Sequence, residues 1–394
     1  MKKAFSNVVV KVFRAVAFWI IRVFALAAFN VRVHIEGERP KGGAIVLCTH
    51  HTIFDFTFLC RAVKPAKPRF VARSLEFERN RLYTWVLNAL GFIPKKQGAM
   101  DLVCVRTIVN GVKNGDLVAI YPTGMNSYDG RPGWAPMQGT GSLMRMANAP
   151  VYVAVMGGAF ISHPRYTTVS YRGRVDITLK QLFTPEELKA MTGDEAQRKI
   201  EEALQFNEWD WQEKNRVRFH GGKSVRDLPV LLYTCPDCGK KGVMTAVKKK
   251  KLVCSACGMT AVRDSFGFFH AEKGNCPARM DKWVDIELDE IRRELENPEH
   301  TLTGRAKLLI KEENGKKYLE NGNGTLSLNR DGFTFEAGGE TRNWSLKSFQ
   351  FLVLNDIDFM QINTTQSSFR FVLEDGSLLY RWFFTHRALA MGQY

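Results

Sequence analysis

Acidic residues are the scarce class in this chain of 394 residues, where Asp and Glu number 40 against 56 Lys and Arg and leave a net charge of +16. A surface of that sign must face something negative, either nucleic acid or the anionic surface of a membrane. Disulfide chemistry is also missing. The eight cysteines fall into two C-x-x-C pairs and four scattered singles, which fits a reducing compartment and excludes a disulfide-stapled secreted domain. No clean small-residue cleavage site follows the apolar N-terminus, which argues against a secretory signal. No long apolar run is unbroken either, because Lys11, Arg14 and Arg22 interrupt the one candidate, residues 1–29. What the chain has is length and apolar content. At 394 residues and 45% hydrophobic, it can bury a sizeable core and is expected to divide into two or three units.

Residues 1–29 read as an amphipathic helix. At roughly 100° per residue, Lys3, Asn7, Lys11, Arg14 and Arg22 share about 100° of arc and the rest is apolar. The pattern suits a helix lying in a membrane interface, with its basic edge on headgroups and its Phe, Trp and Val side among acyl chains. A spanning helix and a helix packed in the core are the two other readings. With the basic balance, the first reading places the protein peripherally on the cytoplasmic face of a membrane.

GAIVLCTHHTIFDFTFLC, residues 43–60, combines an apolar run with a polar cluster. The run reads as a buried strand, which delivers His50, His51 and Asp55 to one edge of a sheet. An imidazole with a carboxylate on its far nitrogen is held in one tautomer and gains basicity, so that it can take a proton from a hydroxyl near neutral pH. In the competing reading Thr49 or Asp55 caps the following helix, and the histidines pack or hold a structural metal.

Three further segments bear on that choice: LGFIPKKQG (90–98), LVAIYPTGMNSYDG (117–130) and APVYVAVMGG (149–158). In this order and spacing the four segments resemble the blocks of the glycerolipid acyltransferases, of which lysophosphatidic-acid (1-acylglycerol-3-phosphate) acyltransferase is the familiar member. The resemblance covers roughly residues 40–190. His50 and Asp55 fall on the family's His-x-x-x-x-Asp pair. Gly91, Ile93 and Pro94 fall on its second block, Pro122 and Gly124 on its third, and Pro150 on its fourth. The resemblance implies an α/β acyltransferase domain in which His50 is the general base, Asp55 orients it, and no acyl-enzyme forms. It also implies acyl-CoA or acyl carrier protein as donor and a lysophospholipid or related lysolipid as acceptor. Lys95, Lys96, Thr123, Gly124 and Asn126 are the expected substrate-binding residues, with amides around Gly124 holding the oxyanion.

Two blocks depart from the pattern. Where the family usually has Pro-Glu-Gly-Thr-Arg, this chain has Pro122-Thr123-Gly124-Met125-Asn126, and where its second block usually ends in arginine, Lys95, Lys96 and Gln97 stand. Lysine binds phosphate as a point charge without the fork of arginine. A nearly neutral pocket at Thr123 and Asn126 is therefore expected, one that favours acceptors without a phosphomonoester. The alternative is a non-catalytic lipid-binding protein on the same scaffold.

Alternation of apolar strands with helical stretches continues from Val31 to about Arg218, closed by a charged helix over 199–219. Cys235, Cys238, Cys254 and Cys257 then form two C-x-x-C knuckles, each followed by glycine, a zinc-ribbon signature. A closed four-thiolate set makes the zinc structural and leaves no catalytic metal. Lys248 to Lys251 read as a solvated hairpin tip, and nucleic acid is not an expected partner. Residues 280–298 form a helix stopped by Pro298. Short strands with turn signals follow, implying a small antiparallel β domain of pleckstrin-like shape with no catalytic constellation. The expected boundaries are 1–32 for the membrane-associating helix, 33–222 for the acyltransferase domain, 229–265 for the ribbon, 266–300 for a linker helix and 301–394 for the β domain.

Overall fold

The computed structural model describes residues 2–78, 80–96, 101–312, 317–348, 352–355, 358–364 and 367–391, with side chains from Val8 onward. It divides into two compact units, residues 1–165 with 169–221, and residues 166–168 with 222–394.

The first unit is an α/β domain. Its elements are α1 (Lys2–Phe29), β1 (Val31–Glu36), β2 (Ala44–Cys48), α2 (Asp55–Ala62), β3 (Arg69–Arg73), α3 (Arg81–Leu90), β4 (Ile93–Lys95) and α4 (Leu102–Lys113). Then come β5 (Leu117–Ile120), α5 (Thr140–Ala147), β6 (Val151–Gly157), α6 (Ala159–Ser162), β7 (Val175–Phe183), α7 (Pro185–Ala190), α8 (Gly193–Ala203) and α9 (Glu208–Asn215). Seven strands form one sheet in the order β1-β7-β6-β2-β5-β3-β4. β2 lies between β6 and β5 and runs parallel to both, so both of its faces must be covered, and its sequence AIVLC is accordingly apolar without alternation. The pleat divides those residues between two cores. Val46 and Cys48 pack with Phe18, Phe29, Phe58 and Phe70, whereas Ile45 and Leu47 pack with Ile108, Val112, Met144 and Ile200.

α1 differs from its expected pose. Phe18, Ala25 and Phe29 are buried against the sheet, and its two central arginines turn inward. Arg22 donates from Nε to the carbonyl of Cys60 at 2.9 Å and from Nη2 to those of Pro65 and Ala66, while Arg14 donates to the carbonyl of Lys67 at 2.8 Å. These acceptors lie at and just beyond the C-terminus of α2, where carbonyls lack intrahelical partners and the dipole favours a cation. The basic edge expected on headgroups is thus spent on α2, with only Lys11 of its described residues exposed. The outward face carries Val12, Val16, Trp19, Ile20, Val23 and Leu26.

The charged helix expected over 199–219 is broken. α8 ends at Ala203, and α9 begins after Asn207, whose side chain accepts from the Trp209 amide at 2.8 Å. Trp209 is fully buried, its Nε1 donating to the Asp129 carbonyl, and the Trp211 ring fills the space over Gly157, where a Cβ would come within 2.5 Å of it. Glu208 beside them is fully buried and accepts from the Ile161 amide at 3.2 Å.

The second unit has two sheets. β8 (Met244–Val247), β9 (Lys251–Cys254), β10 (Thr260–Arg263) and β11 (Phe269–Lys273) form an antiparallel sheet in the order β11-β10-β9-β8. Lys248 and Lys249 turn its first hairpin with left-handed φ of 49° and 59°. After α10 (Met280–Glu296), seven strands build an antiparallel sheet: β12 (Leu302–Lys311), β13 (Tyr318–Leu328), β14 (Gly332–Ala337), β15 (Glu340–Ser345), β16 (Leu352–Asn355), β17 (Phe359–Asn363) and β18 (Ser368–Leu373). Their order is β15-β14-β13-β12-β18-β17-β16, and α11 (Leu379–Met391) follows. The antiparallel strands implied by the turn signals are present.

α10 is not a spacer. Trp283, Val284, Ile291 and Leu295 are buried, and Trp283 Nε1 donates to the Thr234 carbonyl at 3.0 Å. Glu287 accepts from the amide and hydroxyl of Thr234. Near its end, Glu294 pairs with Lys241 at 2.5 Å and Arg381 at 2.9 Å. The segment read as a linker joins the ribbon to α11 through these contacts.

Burial raises the carboxyls of Glu208 and Glu287 to about 8 each, from an ordinary 4.5. The folded chain therefore holds these protons more tightly than the unfolded chain. Their contribution to stability is complete below about pH 4.5 and is lost as pH rises to about 8, with a slope of up to ~1.4 kcal/mol per pH unit for each group. Thermal unfolding followed from pH 5 to 8 should show that decline. Glu208→Gln, which keeps shape and removes one of the two titrations, should roughly halve it, and an unchanged slope in that variant would place Glu208 outside the effect.

Candidate active site and a cysteine cluster

β2 ends at Cys48, and the chain leaves the sheet with Thr49 and His50. Thr49 fixes the exit, its amide donating to the Ala154 carbonyl at 3.0 Å and its hydroxyl accepting from the Met156 amide at 3.1 Å. The next turn is held by one carboxylate oxygen. Asp55 Oδ2 accepts from the amides of His51 at 2.7 Å and Thr52 at 3.0 Å and lies 2.8 Å from His50 Nδ1. Asp55 is 1% exposed, whereas the His50 side chain keeps 21% of its surface. It also opens α2, where the helix dipole favours a negative charge. The capping and catalytic readings of Asp55 are therefore two aspects of one arrangement: the carboxylate organises the turn and orients the imidazole. With the proton on Nδ1 facing Asp55, Nε2 is the free base. The ring stacks on Tyr121 at a centroid distance of 4.4 Å.

His51 is a different residue in all but name. It is 1% exposed, its ring meets Phe206 edge-on at 5.7 Å, and burial lowers its pKa to about 4. It is neutral at physiological pH, and neither ring nitrogen has a hydrogen-bond partner among the described residues.

The third block faces His50 from the loop after β5. Ser127 donates its amide to the His50 carbonyl at 2.8 Å, and Asn126 Nδ2 comes within 3.4 Å of His50 Nδ1. Since that nitrogen already carries the proton shared with Asp55, the Asn126 approach is a contact and leaves its amide able to donate elsewhere. Thr123 is buried with its hydroxyl turned to the Met125 carbonyl at 3.1 Å. Gly124 has a φ of +68° and spends its amide on the Tyr121 carbonyl at 3.0 Å. The Thr123 hydroxyl and the Gly124 amide thus each hold the loop through a backbone carbonyl.

Lys95 and Lys96 stand apart. Lys95 ends β4, the sheet's last strand, and Lys96 follows it, three strand spacings from β2, or roughly 14 Å. Lys95 lies at the same end of the sheet as His50, since β4, β3, β5 and β2 run parallel. The Lys96 amide is taken by Asp101 at 2.8 Å. Gln97 lies outside the described residues.

Motif reading missed Arg165. Its Nη1 lies 3.4 Å from Asn126 Oδ1 and its guanidinium sits 5.5 Å from the centre of the Tyr128 ring. Arg165 thus brings a guanidinium to the third block, whose own residues Thr123 and Asn126 carry no charge. No spacing rule connects Arg165 to Asn126, 39 residues away, so only the fold could reveal the pairing.

In the second unit, the Sγ atoms of Cys235, Cys238, Cys254 and Cys257 all lie within 4.8 Å of one another. Cys235–Cys257 and Cys238–Cys254 are 3.7 and 3.8 Å apart. A tetrahedron of thiolates at zinc–sulfur distances near 2.3 Å has edges of about 3.8 Å, so the cluster fits such an ion. One metal ion per chain is expected by elemental analysis, and Cys235→Ser with Cys254→Ser should remove it. Metal retained by that variant would locate the ion elsewhere.

Comparison with known proteins agrees with the first unit's architecture. Residues 30–157 match the family model described as Acyltransferase. Among solved structures, the 1-acyl-sn-glycerophosphate acyltransferase PlsC from Thermotoga maritima is 20% identical with a TM-score of 0.38, covering 48% of this chain and 78% of its own. The Ran-binding domain of the nuclear complex component Nup2 from Ashbya gossypii is 18% identical with a TM-score of 0.19, covering 24% of this chain and 95% of its own. Likenesses of this size decide nothing about substrate. No curated protein matches the chain. The family match spans the strand that leads to His50, the Asp55 turn and the loop of the third block, and so supports an acyltransferase domain over residues 30–157.

Proposed function

We propose that this acyltransferase moves a fatty acyl group from a thioester donor, acyl-CoA or acyl carrier protein, to a hydroxyl of a lysophospholipid at a membrane surface. The observation that carries the reading is the 2.8 Å contact between His50 Nδ1 and Asp55 Oδ2, in a turn where two backbone amides already fix the carboxylate. His50 Nε2 takes the proton of the acceptor hydroxyl. The acceptor oxygen attacks the thioester carbonyl, the carbon–sulfur bond breaks, and the departing thiolate takes the proton from His50. No side-chain nucleophile is used. The Asn126 amide, beside the imidazole, is a candidate donor to the developing oxyanion.

Arg165 supports an acceptor that carries a phosphate group, because a guanidinium offers charge-assisted bonds that Thr123 and Asn126 do not. Lys95 and Lys96, farther along the same edge, suit a more distant anionic part of donor or acceptor. The cysteine cluster reads as a structural zinc site. α1, one helix long and apolar enough to cross a membrane by length and composition, suits an interfacial pose better. Its buried Phe18, Ala25 and Phe29 and its two engaged arginines tie one side to the domain, leaving the outward apolar face for lipid.

Thiol release from acyl-CoA, dependent on added lysolipid, is the direct assay. His50→Ala should lower it by roughly 10²- to 10⁴-fold, with Asp55→Asn acting similarly. Full activity in the purified His50 variant would overturn the mechanism, and absence of any lysolipid-dependent release from the unaltered protein would favour the lipid-binding scaffold. Arg165→Gln should reduce kcat/KM for lysophosphatidic acid by roughly 10-fold or more, the scale of a charge-assisted hydrogen bond, while sparing an uncharged acceptor. Equal losses on both acceptors would assign Arg165 a structural task instead.

A further inference from the structure

The C-terminal end of α1 opens onto two clefts that share Arg32, near the start of β1. The first, of about 520 Å³, gathers Arg32, Arg39, Arg61 and Lys64 around Val31, Val33 and Pro65. The second, of about 690 Å³, gathers Arg32, Arg172, Arg174, Arg216, Arg218 and His220, with Leu26 and Ala27 of α1 in its wall. Neither lining includes an Asp or Glu. Some of these cations are already engaged: Arg39 donates to the carbonyls of Ala62 and Lys64, and Arg174 pairs with Asp176 at 3.0 Å. The side chains of Arg32, Arg61, Lys64 and Arg172, by contrast, make no hydrogen bond or ion pair among the described residues. Like charges within a Debye length, about 10 Å at moderate salt, repel one another, and an anion seated among them relieves that repulsion.

Position indicates which anion. The outward face of α1 is apolar through Val16, Trp19, Ile20 and Val23 to Leu26, which is 46% exposed and belongs to the wall of the second cleft. A helix lying at a bilayer surface sinks its apolar face below the headgroups, so cations flanking its end stand at the depth of the lipid phosphates. We infer that the two clefts seat the phosphate groups of anionic phospholipids when α1 lies in the bilayer surface. This rests on reading α1 as an interfacial helix. α1 supplies apolar burial to any bilayer, and the clefts add a preference for anionic ones.

The test is vesicle binding by the full-length protein, with neutral phosphatidylcholine vesicles compared against vesicles containing phosphatidylglycerol. The combined change Arg32→Ala, Arg61→Ala, Lys64→Ala and Arg172→Ala should weaken binding to the anionic vesicles by roughly 100-fold or more, while binding to neutral vesicles stays as in the unaltered protein. A charge-preserving set, Arg32→Lys, Arg61→Lys and Arg172→Lys, should retain most of the anionic preference. The inference is overturned if the alanine set binds anionic vesicles as tightly as the unaltered protein, or if the lysine set loses as much as the alanine set. Weaker binding of acyl-CoA without vesicles, with vesicle binding intact, would overturn it by assigning the clefts to the donor's phosphates. Failure of the unaltered protein to bind either vesicle would instead remove the interfacial reading of α1 on which the clefts depend.

Discussion

One carboxylate oxygen sets the geometry of the first unit's chemistry. Asp55 Oδ2 answers to three donors at once, two of them backbone amides of the turn between β2 and α2 and the third the His50 imidazole. Such convergence leaves the imidazole little freedom, because a shift of the carboxylate toward His50 would abandon an amide that burial cuts off from water. The neighbouring elements extend the constraint. Thr49 binds the turn to β6 on one side, and the Ser127 amide binds the His50 carbonyl to the third block on the other. Three of the four sequence blocks, far apart in the chain, thus meet through hydrogen bonds within a few residues of His50.

That convergence explains what could be read from sequence. His50 and Asp55 were legible because they are five residues apart, and a strand followed by a turn brings such a spacing together whatever the rest of the fold does. The cysteine knuckles were legible for the same reason, each being a local turn. The buried strands announced themselves through runs such as AIVLC, which no solvated segment could carry. The two adjacent histidines were harder to separate, and only burial distinguishes the neutral His51 from the partly open His50.

Long-range pairings were not legible. Arg14 and Arg22 look like a headgroup-facing edge on a helical wheel, yet carbonyls of residues 60–67, more than 35 residues away at and beyond the end of α2, take up their guanidinium groups. Thr123 and Asn126 carry no charge themselves, and the approach of Arg165 to Asn126, from the segment after α6, could not be read from the motif. The helix expected over 199–219 broke where Asn207 capped a second one, which let Glu208 and Trp209 turn inward. α10 was expected only as a linker helix, although one of its faces carries buried Trp283 and a buried Glu287 bonded to Thr234, beside the first cysteine knuckle.

The grip of Arg14 and Arg22 on the end of α2 has a mechanical consequence. α2 is eight residues long, or about 12 Å, with Asp55 at one end and the gripped carbonyls at the other. α1 is therefore tied to the helix that Asp55 opens, through Arg22 on the Cys60 carbonyl and on the chain just beyond it. Under the proposed function, a surface that holds α1 would through this link also position the turn that carries His50.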